Sequence, residues 1–236
     1  MQFFTDITTN ASNLCLLNVK QYNNPKKLVK KACFIDPGVY ELVKGPEYSR
    51  VEFLHELARG RMAENEFLSI DYPCDMNSQY TELFIEKSIK NNLLYADNLK
   101  YITTIQYAFM DYTDFIKRCI ELDSILSRPG KIIGLGNMCR IMRTTDYMDA
   151  CMSYLINNYP ARRVHIYGLS IRCIKKYVPI LEKKDFVVSV DSTKWTRAVT
   201  LDFKKTHGVC ARKANRDEYL LEYIKEIQKC GIEVEF

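Results

Sequence analysis

Phe186-Val187-Val188-Ser189-Val190-Asp191-Ser192-Thr193-Lys194-Trp195-Thr196-Arg197 is the stretch that decides how this chain is read. An apolar, β-branched run this short, with no room for a helical period, predicts a buried strand. The run stops at an aspartate, followed by small hydroxyl residues, the chain's one tryptophan and an arginine. A carboxylate closing an apolar strand is costly to bury unless it is paired or used. Read alone, Asp191 is a cap on the turn that follows. The rest of the chain repeats the arrangement, and the repetition changes that reading.

Working back toward the N-terminus, Arg163-Val164-His165-Ile166-Tyr167 ends in Gly168-Leu169, and Lys131-Ile132-Ile133 ends in Gly134-Leu135-Gly136. Tyr101-Ile102-Thr103-Thr104-Ile105 ends in Gln106-Tyr107, Phe67-Leu68-Ser69-Ile70 in Asp71, and Ala32-Cys33-Phe34-Ile35 in Asp36-Pro37-Gly38. Helical apolar spacing fills the intervals, as with Phe115, Cys119, Leu122 and Ile125, or Leu83, Ile85, Ile89 and Leu93. A further helix is predicted from Cys173 to Leu181 despite Pro179, and an amphipathic one from Asn215 to Lys229. Strand alternating with helix at roughly 25 to 35 residues per unit is the pattern of parallel βαβ construction.

Six units are clear between Cys33 and Asp191, and the N-terminal segment with a weaker Thr206-to-Cys210 stretch brings the total to eight. The expected fold is therefore α/β, a (β/α)8 TIM barrel in one domain over residues 1–236. Barrels of this kind usually need about 250 residues. A doubly wound open sheet is the runner-up. Against it, no Gly-x-Gly-x-x-Gly follows the first strand, and Gly134-Leu135-Gly136-Asn137-Met138-Cys139 lacks the third glycine.

Composition narrows the function classes. Hydrophobic residues make up 47% and charged residues 27% of the 236, ordinary for a globular protein and against disorder. The formal charge of +5 is compatible with an anionic partner without requiring one. No apolar run approaches the ~20 residues of a membrane span. The opening Met1-Gln2-Phe3-Phe4-Thr5-Asp6 has no signal-like pattern, so a cytoplasmic protein is expected. The nine cysteines are scattered singly, with no C-x-x-C pair, which points to reduced thiols and no structural zinc.

In a barrel, chemistry gathers at the C-terminal ends of the strands. Those positions are Asp36, Asp71, Gln106, Gly134 with Gly136, Gly168, and Asp191. Three carboxylates on one mouth repel one another unless paired, protonated or occupied, so the ring reads as a site. Two chemistries fit: nucleophile and acid/base work at an acetal-like carbon, or Mg²⁺ held for phosphoryl or aldol-type chemistry. Gln106 and the glycines tilt the balance toward a planar, hydrogen-bonding ligand. At the rim, Tyr107 with Phe109, and Trp195, are candidates to stack on a base, and Arg140, Arg143 and Arg197 to touch phosphate. Packing and solvated charge explain the same residues. His165 reads as a satisfied core histidine.

The strand-end motifs also resemble a known family. Ile35-Asp36-Pro37-Gly38-Val39-Tyr40, Ser69-Ile70-Asp71-Tyr72-Pro73-Cys74, Thr104-Ile105-Gln106, Gly134-Leu135-Gly136-Asn137-Met138-Cys139-Arg140, His165-Ile166-Tyr167-Gly168-Leu169 and Ser189-Val190-Asp191-Ser192-Thr193 are similar, in order, to those of the tRNA-guanine transglycosylase superfamily. The Gly-Leu-Gly-x-Met-Cys-Arg and Asp-Ser-x-x-Trp stretches resemble its short branch, the 7-deazaguanine DNA transglycosylases.

That resemblance implies base exchange at C1′ of a guanosine in DNA or tRNA, with DNA favoured and a 7-deazaguanine such as preQ0 as the incoming base. It makes Asp191 the nucleophile of a covalent intermediate and Asp36 the general acid/base. Asp71 and Gln106 would read the base edge, while the backbone at Gly134 to Gly136 would face its carbonyl. The target base must leave its stack to enter the mouth. The family's first motif has serine and a second glycine where this chain has Pro37 and Val39. The clustered cysteines and histidine of the tRNA enzymes' zinc site are missing, so no zinc subdomain, metal or cofactor is expected. A homo- or hetero-oligomer is compatible with this reading. The alternatives are a nucleoside or base hydrolase of related chemistry and a catalytically silent nucleic-acid-binding paralogue.

Overall fold

The computed structural model describes residues 1–6, 12–18, 30–36, 56, 59, 62–69, 81–106, 111–136, 138, 145–191 and 216–236. Within them, eight parallel strands close into a barrel in chain order. They are β1 (Gln2–Asp6), β2 (Leu14–Asn18), β3 (Ala32–Asp36), β4 (Glu66–Ser69), β5 (Tyr101–Gln106), β6 (Ile132–Gly136), β7 (Arg163–Ile166) and β8 (Val187–Asp191). The last strand returns to the first, with Gln2 level with Ser189 and Phe4 level with Asp191. Helix α1 (Thr81–Leu94) follows β4, α2 (Tyr112–Glu121) and α3 (Asp123–Leu126) follow β5, and α4 (Asp146–Asn158) follows β6. Helices α5 (Ile171–Glu182) and α6 (Arg216–Gln228) follow β7 and β8. This is the (β/α)8 barrel that the strand–helix alternation predicts.

Two details differ from the sequence expectation. Both strands missing from the six clear units come from the N-terminal segment, as β1 and β2, and the barrel closes without Thr206 to Cys210, which lies outside the described residues. The link from β1 to β2 runs only from Ile7 to Asn13, shorter than the dozen or so residues of a usual crossover, so counting regular intervals misses it. Strand β6 also continues through Gly134-Leu135-Gly136 instead of stopping before them. Pairing to Thr104, Ile105 and Gln106 on one side and His165 and Ile166 on the other overrides glycine's poor strand preference.

Side chains alternate across each strand. One set packs inside the barrel, with Phe4, Leu14, Phe34, Ile102 and Ile132 forming an inner cluster in which Phe4 and Phe34 stack at 4.1 Å. The other set, including Ile133, Leu135, Val164, Ile166, Val188 and Val190, meets Met152, Leu155, Ile174, Val178, Leu220 and Ile224 of the surrounding helices. Those helices start where the sequence supplies caps. Asp111, Thr145 and Ser170 accept from the backbone N–H of Asp114, Met148 and Cys173. Helix α5 runs through exposed Pro179, whose carbonyl still accepts from Lys183 N–H at 3.1 Å.

At the opposite end of the barrel from the strand C-termini, residues 233–235 lie along the start of β1. Phe3 N–H donates to Glu235 O at 2.8 Å, and Glu235 N–H donates to Met1 O at 3.0 Å. On the same side of the barrel, Lys131 is 1% exposed, and its Nζ donates to the carbonyls of Asn98 at 2.7 Å and of Tyr95 and Ala96 at 3.3 Å, in the turn after α1. Cys15, Cys33, Cys119, Cys151 and Cys173 are buried, and burial pushes the Cys119 and Cys151 thiols up to about 12, which makes them inert. Among the described residues, no helix is long and apolar enough to cross a membrane.

Candidate active site

Register places the chemistry-bearing residues on one rim. Asp36 closes β3 and lies half-buried, level with Asn18 of β2. Gln106 closes β5 and pairs with Gly136, which closes β6. Gly168 lies in the turn two residues after β7 ends, and Asp191 closes β8. The structure thus brings Asp36, Gln106, Gly136, Gly168 and Asp191 to the C-terminal mouth. Asp71, Tyr107, Arg140, Trp195 and Arg197 lie outside the described residues. Strand β1 adds Asp6 at its own end, a position the sequence reading passed over because it did not resolve that strand's boundary.

Asp191 is the best-defined member of the rim. It is 6% exposed, and its two oxygens have different surroundings. Oδ1 accepts the backbone N–H of Gly168 at 2.9 Å, and Nε2 of His165 stands 3.4 Å from the same oxygen, short of hydrogen-bond alignment. Among the described residues Oδ2 has no hydrogen-bond partner. Gly168 reaches Oδ1 from a φ of 69°, a left-handed backbone that a side chain disfavours. Its role in this structure is therefore to hold the carboxylate.

One layer below the rim runs a row the sequence reading did not assemble. Thr104, Gly134, His165 and Ser189 are direct cross-strand partners from β5 to β8. Ser69 Oγ joins the row through Thr104 Oγ1 at 2.9 Å. His165 is fully buried, with its Nδ1 3.0 Å from Ser189 Oγ, which also lies 3.1 Å from Val164 O. The rings of Phe4, Phe34 and Tyr167 meet the imidazole edge-on at 5.6, 4.6 and 4.4 Å. Burial pushes the His165 pKa down, with the Asp191 carboxylate pulling the other way. The signal was present as polar residues spaced by two in apolar strands: Thr104 and Gln106, His165 and Tyr167, Ser189 and Asp191.

Gly134 also has a packing reason to be glycine. A Cβ there would sit 2.7 Å from Thr104 Oγ1, 2.9 Å from Ile102 Cγ2 and 3.1 Å from Tyr167 Cε2. The space beside its Cα is filled by these side chains, so the glycine serves barrel packing, and Gly136 is the one that reaches the mouth. Thr104 and Ile102 are β-branched and stiff, so they yield little to an added methyl. Gly134→Ala is expected to cost about 1–3 kcal/mol by overpacking, read from urea unfolding midpoints at constant m. A glycine that only lined an open mouth would accept the methyl at no cost.

Among the described residues, no three His, Cys, Asp or Glu side chains are grouped to hold a metal ion. What the described rim offers instead is a carboxylate anchored through one oxygen, its other oxygen without a partner among the described residues, and a second, half-buried carboxylate on the same mouth. That arrangement suits attack on an electrophilic carbon with proton transfer to the leaving group. In comparisons with protein-family models, curated proteins and solved structures, none matches the chain.

Proposed function

We propose that the protein is a base-exchange glycosyltransferase. It replaces guanine in a polynucleotide, DNA in preference to tRNA, by a 7-deazaguanine such as preQ0, and works through a covalent Asp191–glycosyl intermediate. The observation that supports this most directly is the asymmetry of Asp191 at the mouth of the barrel, with Oδ1 held by Gly168 and Oδ2 without a hydrogen-bond partner among the described residues. A protein that merely bound an anionic backbone would gain nothing from carboxylates in its mouth.

In the first step, an Oδ2 lone pair forms a bond to C1′ as the C1′–N9 bond breaks. The electron pair of that bond leaves on guanine, which takes a proton from Asp36. In the second step, Asp36 removes the proton from the incoming base, whose nitrogen bonds C1′ and releases the Asp191 carboxylate. Covalent catalysis of this kind divides one difficult displacement into two easier ones. Gln106 and Asp71 are assigned to the base edge. Tyr107, Trp195, Arg140 and Arg197 are assigned to the flanking polynucleotide.

The test is incubation of the protein with single-stranded DNA, duplex DNA or tRNA and isotopically labelled guanine or preQ0. Label is expected in the polynucleotide, most strongly in DNA, with one unlabelled guanine released per base incorporated. Guanine release without incorporation would overturn exchange in favour of hydrolysis. Binding with neither release nor incorporation would leave only a silent nucleic-acid-binding role.

A further inference from the structure

We propose that Ser189 and His165 form a buried relay that presents Nε2–H to Oδ1 of Asp191, which makes Oδ2 the oxygen that bonds the sugar and His165 a positioning residue. The assignment of the bonding oxygen rests on the exchange reaction proposed above; the relay itself rests on geometry alone.

His165 is fully buried among the rings of Phe4, Phe34 and Tyr167, and burial favours its neutral form. A neutral imidazole carries one proton and must choose between its two nitrogens. Ser189 also has one proton to place, with Val164 O at 3.1 Å and His165 Nδ1 at 3.0 Å as its two acceptors. These choices are linked. If the hydroxyl donates to Val164 O, then Nδ1 keeps the ring proton and a bare Nε2 faces the Asp191 oxygen at 3.4 Å. Two lone pairs then oppose each other in a weakly screening interior. If the hydroxyl donates to Nδ1, the ring proton moves to Nε2 and meets a charged acceptor, which binds a donor more strongly than a neutral carbonyl does.

The anionic carboxylate therefore selects the Nε2–H tautomer and turns the Ser189 hydroxyl toward the ring. Oδ1 then has two donors, Gly168 N–H and His165 Nε2–H, one from the turn after β7 and one from β7 itself. The present 3.4 Å contact is of the kind that tightens when a site is loaded. With Oδ1 committed twice, bond formation falls to Oδ2. Oδ1 becomes the carbonyl oxygen of the intermediate, and the same two donors receive the negative charge when the carboxylate is released.

Two measurements test this. The first needs no activity: nitrogen-15 NMR of protein with labelled histidine, in which the His165 signals are identified by their loss in His165→Gln. The expected result is the Nε2–H tautomer in the unmodified protein and a change to Nδ1–H in Asp191→Ala, where no carboxylate selects the ring proton. Nδ1–H in both proteins would overturn the relay. The second measurement is kinetic. His165→Phe is expected to lower kcat about 10²-fold, the usual cost of one lost donor at a reacting centre, with KM for the polynucleotide unchanged. His165→Gln, which keeps a donor near Nε2, is expected to recover at least about tenfold of that loss.

Equal loss in both variants, or a loss confined to KM, would overturn the positioning role. Should His165→Phe fail to fold, kcat of His165→Gln relative to His165→Leu decides in its place. The tautomer change together with an absence of any exchange would uphold the relay and sink the reaction on which the Oδ2 assignment rests.

Discussion

Asp191→Asn is expected to fold normally and to lose base exchange by at least about 10⁴-fold, as when a covalent nucleophile is removed from other enzymes. The substitution is close to isosteric. The amide oxygen of asparagine still accepts the Gly168 N–H that reaches Oδ1 at 2.9 Å, so the loop after β7 keeps its place. What disappears is the anionic oxygen able to bond C1′, since an amide nitrogen has no free pair to offer. The variant should unfold within a few tenths of a kcal/mol of the unmodified protein in urea, while incorporation of labelled guanine falls to background. Exchange at the unmodified rate would remove Asp191 from the role of nucleophile. Asp36→Asn makes a useful companion, because loss of a general acid/base typically costs only about 10²–10⁴-fold and leaves the nucleophile in place.

The largest effect on stability is expected at the other end of the barrel. Lys131→Met should destabilise the protein by about 3 kcal/mol, because it leaves part-buried carbonyls of the turn after α1 without their charged donor. Nζ donates to Asn98 O at 2.7 Å and to Tyr95 O and Ala96 O at 3.3 Å, while Arg128 reaches Ala96 O at 3.1 Å and pairs with Asp97. Arg128 alone cannot cover the three carbonyls. Burial pushes the Lys131 pKa from 10.5 down to about 8, with Arg128 adding to the effect.

The sign of the pH dependence follows from that shift. Below about pH 8, both folded and unfolded chains carry the proton and Lys131 adds no slope. Between about 8 and 10.5 the unfolded chain binds the proton while the folded chain has lost it, so this group raises stability as pH increases. Subtracting the Lys131→Met stability curve from the unmodified one isolates its part from that of titrating tyrosines. A flat difference across this window would show that Lys131 keeps its proton in the fold.

Reading the barrel from the sequence works because six strands end in a polar or glycine residue after a short apolar run. It falters at β1 and β2, where the close spacing hides the repeat, and at β6, where neighbouring strands hold two glycines in a ladder that glycine does not favour by itself. The rim was legible for the same reason as the strands: Asp36, Gln106 and Asp191 are abrupt polar stops. The layer beneath was not. Thr104, His165 and Ser189 each look like an ordinary polar residue in a strand, and only the register that levels them across β5 to β8 makes them a connected row. At Gly134 the motif did not disclose the packing, because only the fold brings Thr104, Ile102 and Tyr167 against the space a side chain would need.

The junction between β1 and β8 carries a kinetic consequence. Phe4 and Asp191 become neighbours only when segments separated by most of the chain have met, so this seam is the entropically slowest contact of the barrel to form. The Asp191 carboxylate stands on that seam. Until it zips, β8 has no first-strand partner, and the imidazole beside Asp191 lacks the Phe4 wall that keeps it dry. The site around Asp191 is therefore assembled only in molecules whose ring is complete, and the proposed exchange activity is expected to appear no earlier than closure of that seam.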